Sequence, residues 1–346
     1  MVNKYLTVWL LFLLIFLSSC SAQTKQEATF QNPVFEPVIA DPSVVKADDE
    51  YFYVLGTEDD WGDEQGSRLI PIVKSKNLVD WTYVGEAFEE KPNWKDEGSL
   101  WAPDISSFNG KYYLYYSYSI WGDANPSIGV ATSDSPEGPF TDHGKLFDSK
   151  SIGVGNSIDP MLFVENETPY LFWGSFKGIY GIELAEDGMS TVGEKFQIAG
   201  IDYEATYIIK RNDYYYFFGS RGTCCEGENS GYNVAVGKAE AITGPYLDKE
   251  GKDLSLSGGT LLLTGHFPND EGPVLFAGPG HNTIVTDDNG TDWMIYHAVD
   301  KSNPRLPNGA TRRPLMIDPI KWEDGWPTIE GLVPSNEERP VPIFHD

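Results

Sequence analysis

The stretch from Ile105 to Phe108, the pair Asn109-Gly110 and the run Tyr112-Tyr113-Leu114-Tyr115-Tyr116 decides the fold. Two short segments of β-formers flank a turn-forming pair, which is the sequence signature of a β-hairpin. The same unit recurs five times along the chain, and a recurring unit is the first thing to seek in a long sequence. The first copy runs from Pro42 to Val45, turns at Asp48-Asp49-Glu50 and continues as Tyr51-Phe52-Tyr53-Val54-Leu55-Gly56. The third runs from Met161 to Val164 and then from Tyr170 to Gly174; the fourth from Thr206 to Ile209 and then from Tyr214 to Gly219. The fifth runs from Thr283 to Val285 and then from Trp293 to Tyr296. A third strand is predicted at Ile70 to Lys74, Ile128 to Ala131, Ile179 to Leu184 and Tyr232 to Val236. Long helical periodicity is absent. Several strands per unit at this period predict an all-β, five-bladed β-propeller over residues 31–346. The competing architecture is a β-sandwich or jelly roll with an added domain.

The N-terminal end reads differently. Lys4 precedes an apolar run from Tyr5 to Leu17, too short for a comfortable membrane span and suited to a signal peptide. It ends in Leu17-Ser18-Ser19-Cys20, which resembles a bacterial lipobox with Cys20 as the lipidated residue. Residues 1–20 are therefore expected to be a lipoprotein signal peptide and residues 21–30 a polar tether. The expected location is outside the cytoplasm, on a bacterial outer membrane, with the lipid as the sole membrane contact. Formal net charge is -27, which argues against nucleic acid as a partner, because phosphate binding needs clustered Lys and Arg. Cys224 and Cys225 are adjacent and cannot tie distant segments together. They can form a vicinal disulfide or remain thiols.

One residue stands before the inner strand of each unit: Asp41, Asp104, Asp159, Glu204 and His281. Inner strands of a propeller start on one face of a central channel, so these side chains are expected to converge. Like charges at close range raise one another's pKa and cost stability. That cost has a use where one carboxyl must stay protonated and another ionised at the same pH. Asp104, after Trp101-Ala102-Pro103, is read as structural, holding its loop.

At these residues the chain resembles glycoside hydrolase family 43, and within it the endo-1,5-α-L-arabinanases. The resemblance rests on Ala40-Asp41-Pro42-Ser43, Trp101-Ala102-Pro103-Asp104, Asn156-Ser157-Ile158-Asp159-Pro160, Gly174-Ser175-Phe176 and Tyr203-Glu204-Ala205. It continues through Thr223-Cys224-Cys225-Glu226-Gly227, Gly278-Pro279-Gly280-His281-Asn282 and Asp324-Gly325-Trp326-Pro327. It implies an inverting mechanism on arabinan, with Asp41 as general base and Glu204 as general acid. Asp159 would raise the acid's pKa and orient it. In such enzymes base and acid stand about 6.5–9.5 Å apart, leaving room for a water. The resemblance further implies that His281 helps hold a central calcium ion, largely through water. It implies that Trp101, Asn156, Ser175 and Phe176 line sugar subsites, and that the protein is a monomer. Departures are Ala40, where the family usually has His, the acidic stretch Glu58 to Gln65, and the loop Ile120 to Asn125. The alternatives are an exo-α-L-arabinofuranosidase or β-xylosidase of the same family, or a non-catalytic surface glycan-binding lipoprotein.

Overall fold

In the computed structural model, residues 28–266 and 273–345 are described. Cys20 and most of the expected tether lie outside them. Five four-stranded antiparallel sheets follow one another along the chain; four are built from consecutive strands, and in the first a two-stranded hairpin, Asp59–Asp60 with Ser67–Arg68, is inserted between the second and third strands. This is the propeller expected from the repeat. The five inner strands are Ser43–Lys46, Ser99–Phe108, Met161–Glu165, Glu204–Arg211 and Phe276–Thr286. The second strands are Phe52–Leu55, Lys111–Ser119, Thr168–Trp173, Tyr214–Arg221 and Asp292–Asp300.

The second strands are apolar at nearly every position because each sheet is covered on both faces. Side chains alternate across a strand, so odd and even residues face opposite neighbours. In blade 1, Tyr53 and Leu55 pack with Leu114 and Tyr116 of blade 2. Phe52 and Val54 pack with Trp293 and Ile295 of blade 5. In blade 2, Tyr113 and Tyr115 turn the other way, onto Leu171 and Trp173 of blade 3. Two further clusters join blades 3 and 4 and blades 4 and 5, so each inter-blade interface has its own core. Full burial of one such side chain contributes about 1.5–3 kcal/mol.

The fourth strands, Thr82–Glu86, Thr141–Asp148, Thr191–Ala199, Thr260–Thr264 and Trp326–Thr328, were not predicted. They form the outer edge, and Thr191–Ala199 is exposed over its first five residues. A polar edge strand blunts edge-to-edge aggregation and for the same reason carries no hydrophobic pattern.

The ring closes through the N-terminal segment. Thr29–Phe30 pairs with Arg339–Pro340, and Phe35 bridges to Leu315 of blade 5. Asn32 completes the seam: its Nδ2 donates to the Ile317 carbonyl at 2.8 Å and its Oδ1 accepts the Ile317 N–H at 2.9 Å. The expected tether boundary at residue 30 is thus too late, since buried Phe30 already belongs to the folded ring. Among the described residues no helix is long and apolar enough to cross a membrane.

Candidate active site

The end of the channel where the inner strands begin is marked in the backbone. Asp41, Ala102, Asp159, Ala205 and His281 all have φ between 45° and 58°. Positive φ is uncommon outside glycine, and such strain collects at functional sites. One such residue stands in each blade. The structural repeat therefore departs from the expected alignment in two blades, by two residues in blade 2 and by one in blade 4. Ala102, not Asp104, is the blade 2 equivalent, and Glu204 precedes its blade's equivalent, Ala205. The pairing registers agree, since Trp101, Glu204 and Gly280 face Ser117, Ser220 and His297 on their second strands. Register breaks follow at Trp101/Asp104, Glu204/Tyr207 and Gly280/Thr283. Bulges of this kind re-aim side chains beside active sites.

Each strained N–H is held by the preceding blade. Ala102 donates to Thr57 Oγ1 at 2.8 Å, Asp159 to Ser117 Oγ at 2.9 Å and His281 to Ser220 Oγ at 2.8 Å. Asp41 donates to His297 Nδ1 at 3.0 Å. Ser175 occupies the matching place in blade 3, but its hydroxyl is turned away. Ala205 N–H instead donates to Asp159 Oδ2 at 3.1 Å.

Asp41 is buried in a cationic setting. Its Oδ1 accepts from Arg313 Nη1 at 3.0 Å and lies 3.3 Å from His281 Nδ1. Its Oδ2 accepts from Thr57 Oγ1 at 2.5 Å. Burial alone would raise its pKa, but Arg313 and then His281 hold it well below the usual carboxylate range. Because His297 Nδ1 accepts the Asp41 N–H, the imidazole carries its proton on Nε2 and is neutral. Burial, with Arg313 beside it, keeps its pKa well below the usual value.

Asp159 and Glu204 are equally buried but lack a cation in contact. Burial raises the pKa of both, and for Asp159 the Glu204 and Asp41 carboxylates add to the shift. Glu204 Oε2 accepts from Ser175 Oγ at 2.6 Å. Asn156 Nδ2 donates to that same Oγ at 2.9 Å. One face of the channel mouth thus holds an ionised carboxylate, and the other holds a pair that retains a proton.

The model of the glycosyl hydrolases family 43 matches residues 30–327. The chain is a member of glycosyl hydrolase family 43. It is 36% identical over 329 residues to an extracellular endo-α-(1→5)-L-arabinanase of Bacillus subtilis, covering 91% of this chain and 93% of that one. It is 32% identical to an extracellular exo-α-(1→5)-L-arabinofuranosidase of Cellvibrio japonicus, covering 75% of this chain and 80% of the relative. Among solved structures, the α-L-arabinanase of Cellvibrio cellulosa complexed with arabinohexaose superposes with TM-score 0.72 at 30% identity, over 85% of this chain and 96% of that one.

Other expected site residues of this family 43 chain divide into two groups. Trp101 is half-buried, and its ring lies 5.7 Å from that of Trp121, which is 79% exposed in the divergent Ile120 to Asn125 loop. Phe176 sits at the rim of blade 3 with φ 50° and its N–H on the Tyr203 carbonyl. Ser175, by contrast, is 1% exposed with its hydroxyl committed to Glu204, so it stands behind the site and not on a sugar-facing wall. Asp104 is structural, as expected, but it staples strands and does not hold its loop. Its carboxylate accepts from Ser43 Oγ in blade 1 and the Leu162 N–H in blade 3. Cys224 and Cys225 form a disulfide in the blade 4 rim loop. The Cys225 carbonyl there accepts from Thr311 Oγ1 of blade 5.

Sequence reading missed Arg313 and His297. His297 had a findable signal, because it stands in the second-strand position that holds Thr57, Ser117, Ser175 and Ser220 in the other blades. Arg313 had none: it lies on a rim loop outside any strand pattern. A cavity of about 560 Å³ lies at the far end of the channel, among Val45, Ile105, Leu162 and Ile284, away from the carboxyl cluster.

Proposed function

We propose that the protein is an inverting glycoside hydrolase that cleaves α-1,5-L-arabinofuranosyl linkages within arabinan. The observation that carries the mechanism is the opposite protonation of two buried carboxyl sites at one channel mouth. Asp41, ionised beside Arg313, is the base that takes a proton from the attacking water. Glu204, kept protonated by burial, is the acid that protonates the leaving oxygen. Asp159 is the third carboxyl, buried beside the acid, and its Oδ2 fixes the backbone next to it at Ala205. Separated pKa values of this kind are how one site performs acid and base chemistry together. The Bacillus relative named as an endo enzyme favours internal cleavage. The Cellvibrio relative named as an exo enzyme keeps terminal release as the second reading.

A calcium ion beside His281 belongs to the proposal. Among the described residues no three His, Cys, Asp or Glu side chains converge as a metal cage. The protein's share is therefore one imidazole, with water supplying oxygen ligands. Thr206 Oγ1 and Asn282 Oδ1 are buried on the inner strands of blades 4 and 5 without a protein partner, which fits a hydrated ion in the channel. Such an ion supplies fixed positive charge near the carboxylates. The protein acts outside the cytoplasm, as the names of both relatives have it for themselves, and we place it there through a lipid on Cys20. A Cys20→Ala chain released from the membrane fraction is the expected result.

The deciding experiment is a time course of products from debranched linear arabinan. A ladder of oligosaccharides supports internal cleavage, and one short product from the start supports terminal release. Xylose from xylan, with arabinan untouched, overturns the substrate assignment. Binding without cleavage of any pentosan overturns the enzyme reading.

A further inference from the structure

The hydrogen-bond ring at the channel mouth is broken at one place, and that place carries information. In four blades a side chain ending the second strand caps the strained N–H of the next blade. Ser175 is the fifth such residue, yet its hydroxyl meets Glu204 Oε2 at 2.6 Å. The direction of that bond is fixed by a third group. Asn156 Nδ2 lies 3.2 Å from the Ser175 carbonyl oxygen and 2.9 Å from Ser175 Oγ. A carbonyl only accepts, so the atom facing it is the amide nitrogen, and Asn156 donates to both oxygens. Ser175 Oγ therefore accepts from Asn156 and spends its single proton on Glu204 Oε2.

We propose that Ser175 is a positioning residue that confines the proton of Glu204 to Oε1, and that Asn156 sets the direction of this chain. The inference rests on the reading of Glu204 as the acid and deepens it. Oε2 accepts a well-formed hydrogen bond from Ser175, and the Tyr232 hydroxyl also lies against the carboxyl; Oε1 has no hydrogen bond of comparable geometry and is the oxygen that presents the proton. In the reaction the Oε1 proton passes to the glycosidic oxygen as the bond from that oxygen to the anomeric carbon breaks. The attacking water forms the new bond to that carbon and gives its proton to Asp41. Negative charge then develops on Glu204, and the Ser175 hydroxyl is already placed to receive it. Hydrogen bonds to an ionised acceptor are stronger than neutral ones, so this contact tightens as the leaving group departs. Alanine at 175 would leave the proton free to sit on either oxygen.

The test separates acid function from general damage by the leaving group. An arabinotriose leaving oxygen needs a proton, whereas a 2,4-dinitrophenolate does not. For Ser175→Ala the expected loss in kcat is about 100-fold on arabino-oligosaccharide and under about 5-fold on the 2,4-dinitrophenyl arabinoside, in line with the usual worth of general acid catalysis. Ser175→Thr, which keeps the hydroxyl, restores most of the difference. Asn156→Asp offers an acceptor to the Ser175 proton with almost no change in shape, and reproduces the same leaving-group split without relying on a cavity. Equal losses on both substrates for Ser175→Ala, or a full-activity Asn156→Asp, overturn the proposal. A wild-type enzyme that cuts xylosides instead overturns the substrate reading alone, and the same ratio on 2,4-dinitrophenyl xyloside then judges Ser175.

Discussion

The blade 1 side and the blade 3–4 side of the channel mouth are equally buried and differently protonated. Asp41 is 9% exposed, Asp159 6% and Glu204 8%. Burial raises every carboxyl pKa by removing water, so it cannot separate the three. The difference lies in the partners. Blade 1 receives a guanidinium from Arg313 and an imidazole from His281, whereas blades 3 and 4 offer Glu204 a neutral hydroxyl and Asp159 a backbone N–H. Acid and base are thus assigned by what the neighbouring blades lend to each, and not by depth.

The largest effects should come from the carboxylates themselves. Asp41→Asn and Glu204→Gln are each expected to lower kcat on arabinan by about 10³-fold, within the range for loss of a positioned acid or base. They should part on activated substrate: Glu204→Gln keeps activity on a dinitrophenyl glycoside, and Asp41→Asn does not. Steady-state kinetics on both substrates checks this, and equal behaviour of the two variants would dissolve the comparison.

Arg313→Met should follow, because it leaves a buried carboxylate without its cation. Breaking such a pair costs about 3–5 kcal/mol of stability, measurable by urea unfolding. The surviving folded enzyme should also lose activity at the acid end. With the guanidinium gone, burial raises the Asp41 pKa, so the base takes up a proton at higher pH and the acid limb of kcat/KM moves upward. In the wild type the acid limb lies low and the basic limb follows the loss of the proton held by Asp159 and Glu204. A profile that rises continuously with pH above neutrality would contradict a protonated pair.

Asp104 gives the smallest and sharpest contrast, being a buried carboxyl with hydrogen bonds but no mechanism. Burial pushes its pKa up to about 6 from an ordinary value near 3.8. The native state then binds more protons than the unfolded chain between those values, so this group's contribution to stability falls as pH rises through that window. Asp104→Asn removes the titration. Its melting temperature relative to wild type should therefore be higher at pH 8 than at pH 5, by a few degrees at most, with kcat within about threefold of wild type.

Much of this was legible beforehand. The second strands announced themselves because both of their faces are covered, so Tyr112 to Tyr116 and Tyr214 to Gly219 have almost no polar interruption. Asp41, Asp159 and Glu204 were expected to converge and stand together at one channel mouth. The alignment slipped in blade 2 because Asp104 has the right chemistry two residues past the strained position, where the chain has only Ala102. It slipped in blade 4 because a bulge, invisible in residue type, brings Glu204 in one residue before its structural equivalent. Arg313 stayed hidden because a rim loop has no period, and Ser175 was read as a sugar contact because one hydroxyl looks like another until its donor and acceptor are known.

The ring of caps also sets an order in time. Asp41 lies in the first blade to leave the ribosome, yet its backbone is fixed by His297 and its charge by Arg313, 256 and 272 residues further on. The earliest acid of the site is the last to be armed. A nascent or truncated chain therefore carries the residues of a hydrolase without the activity, and the enzyme switches on only when its final blade meets its first.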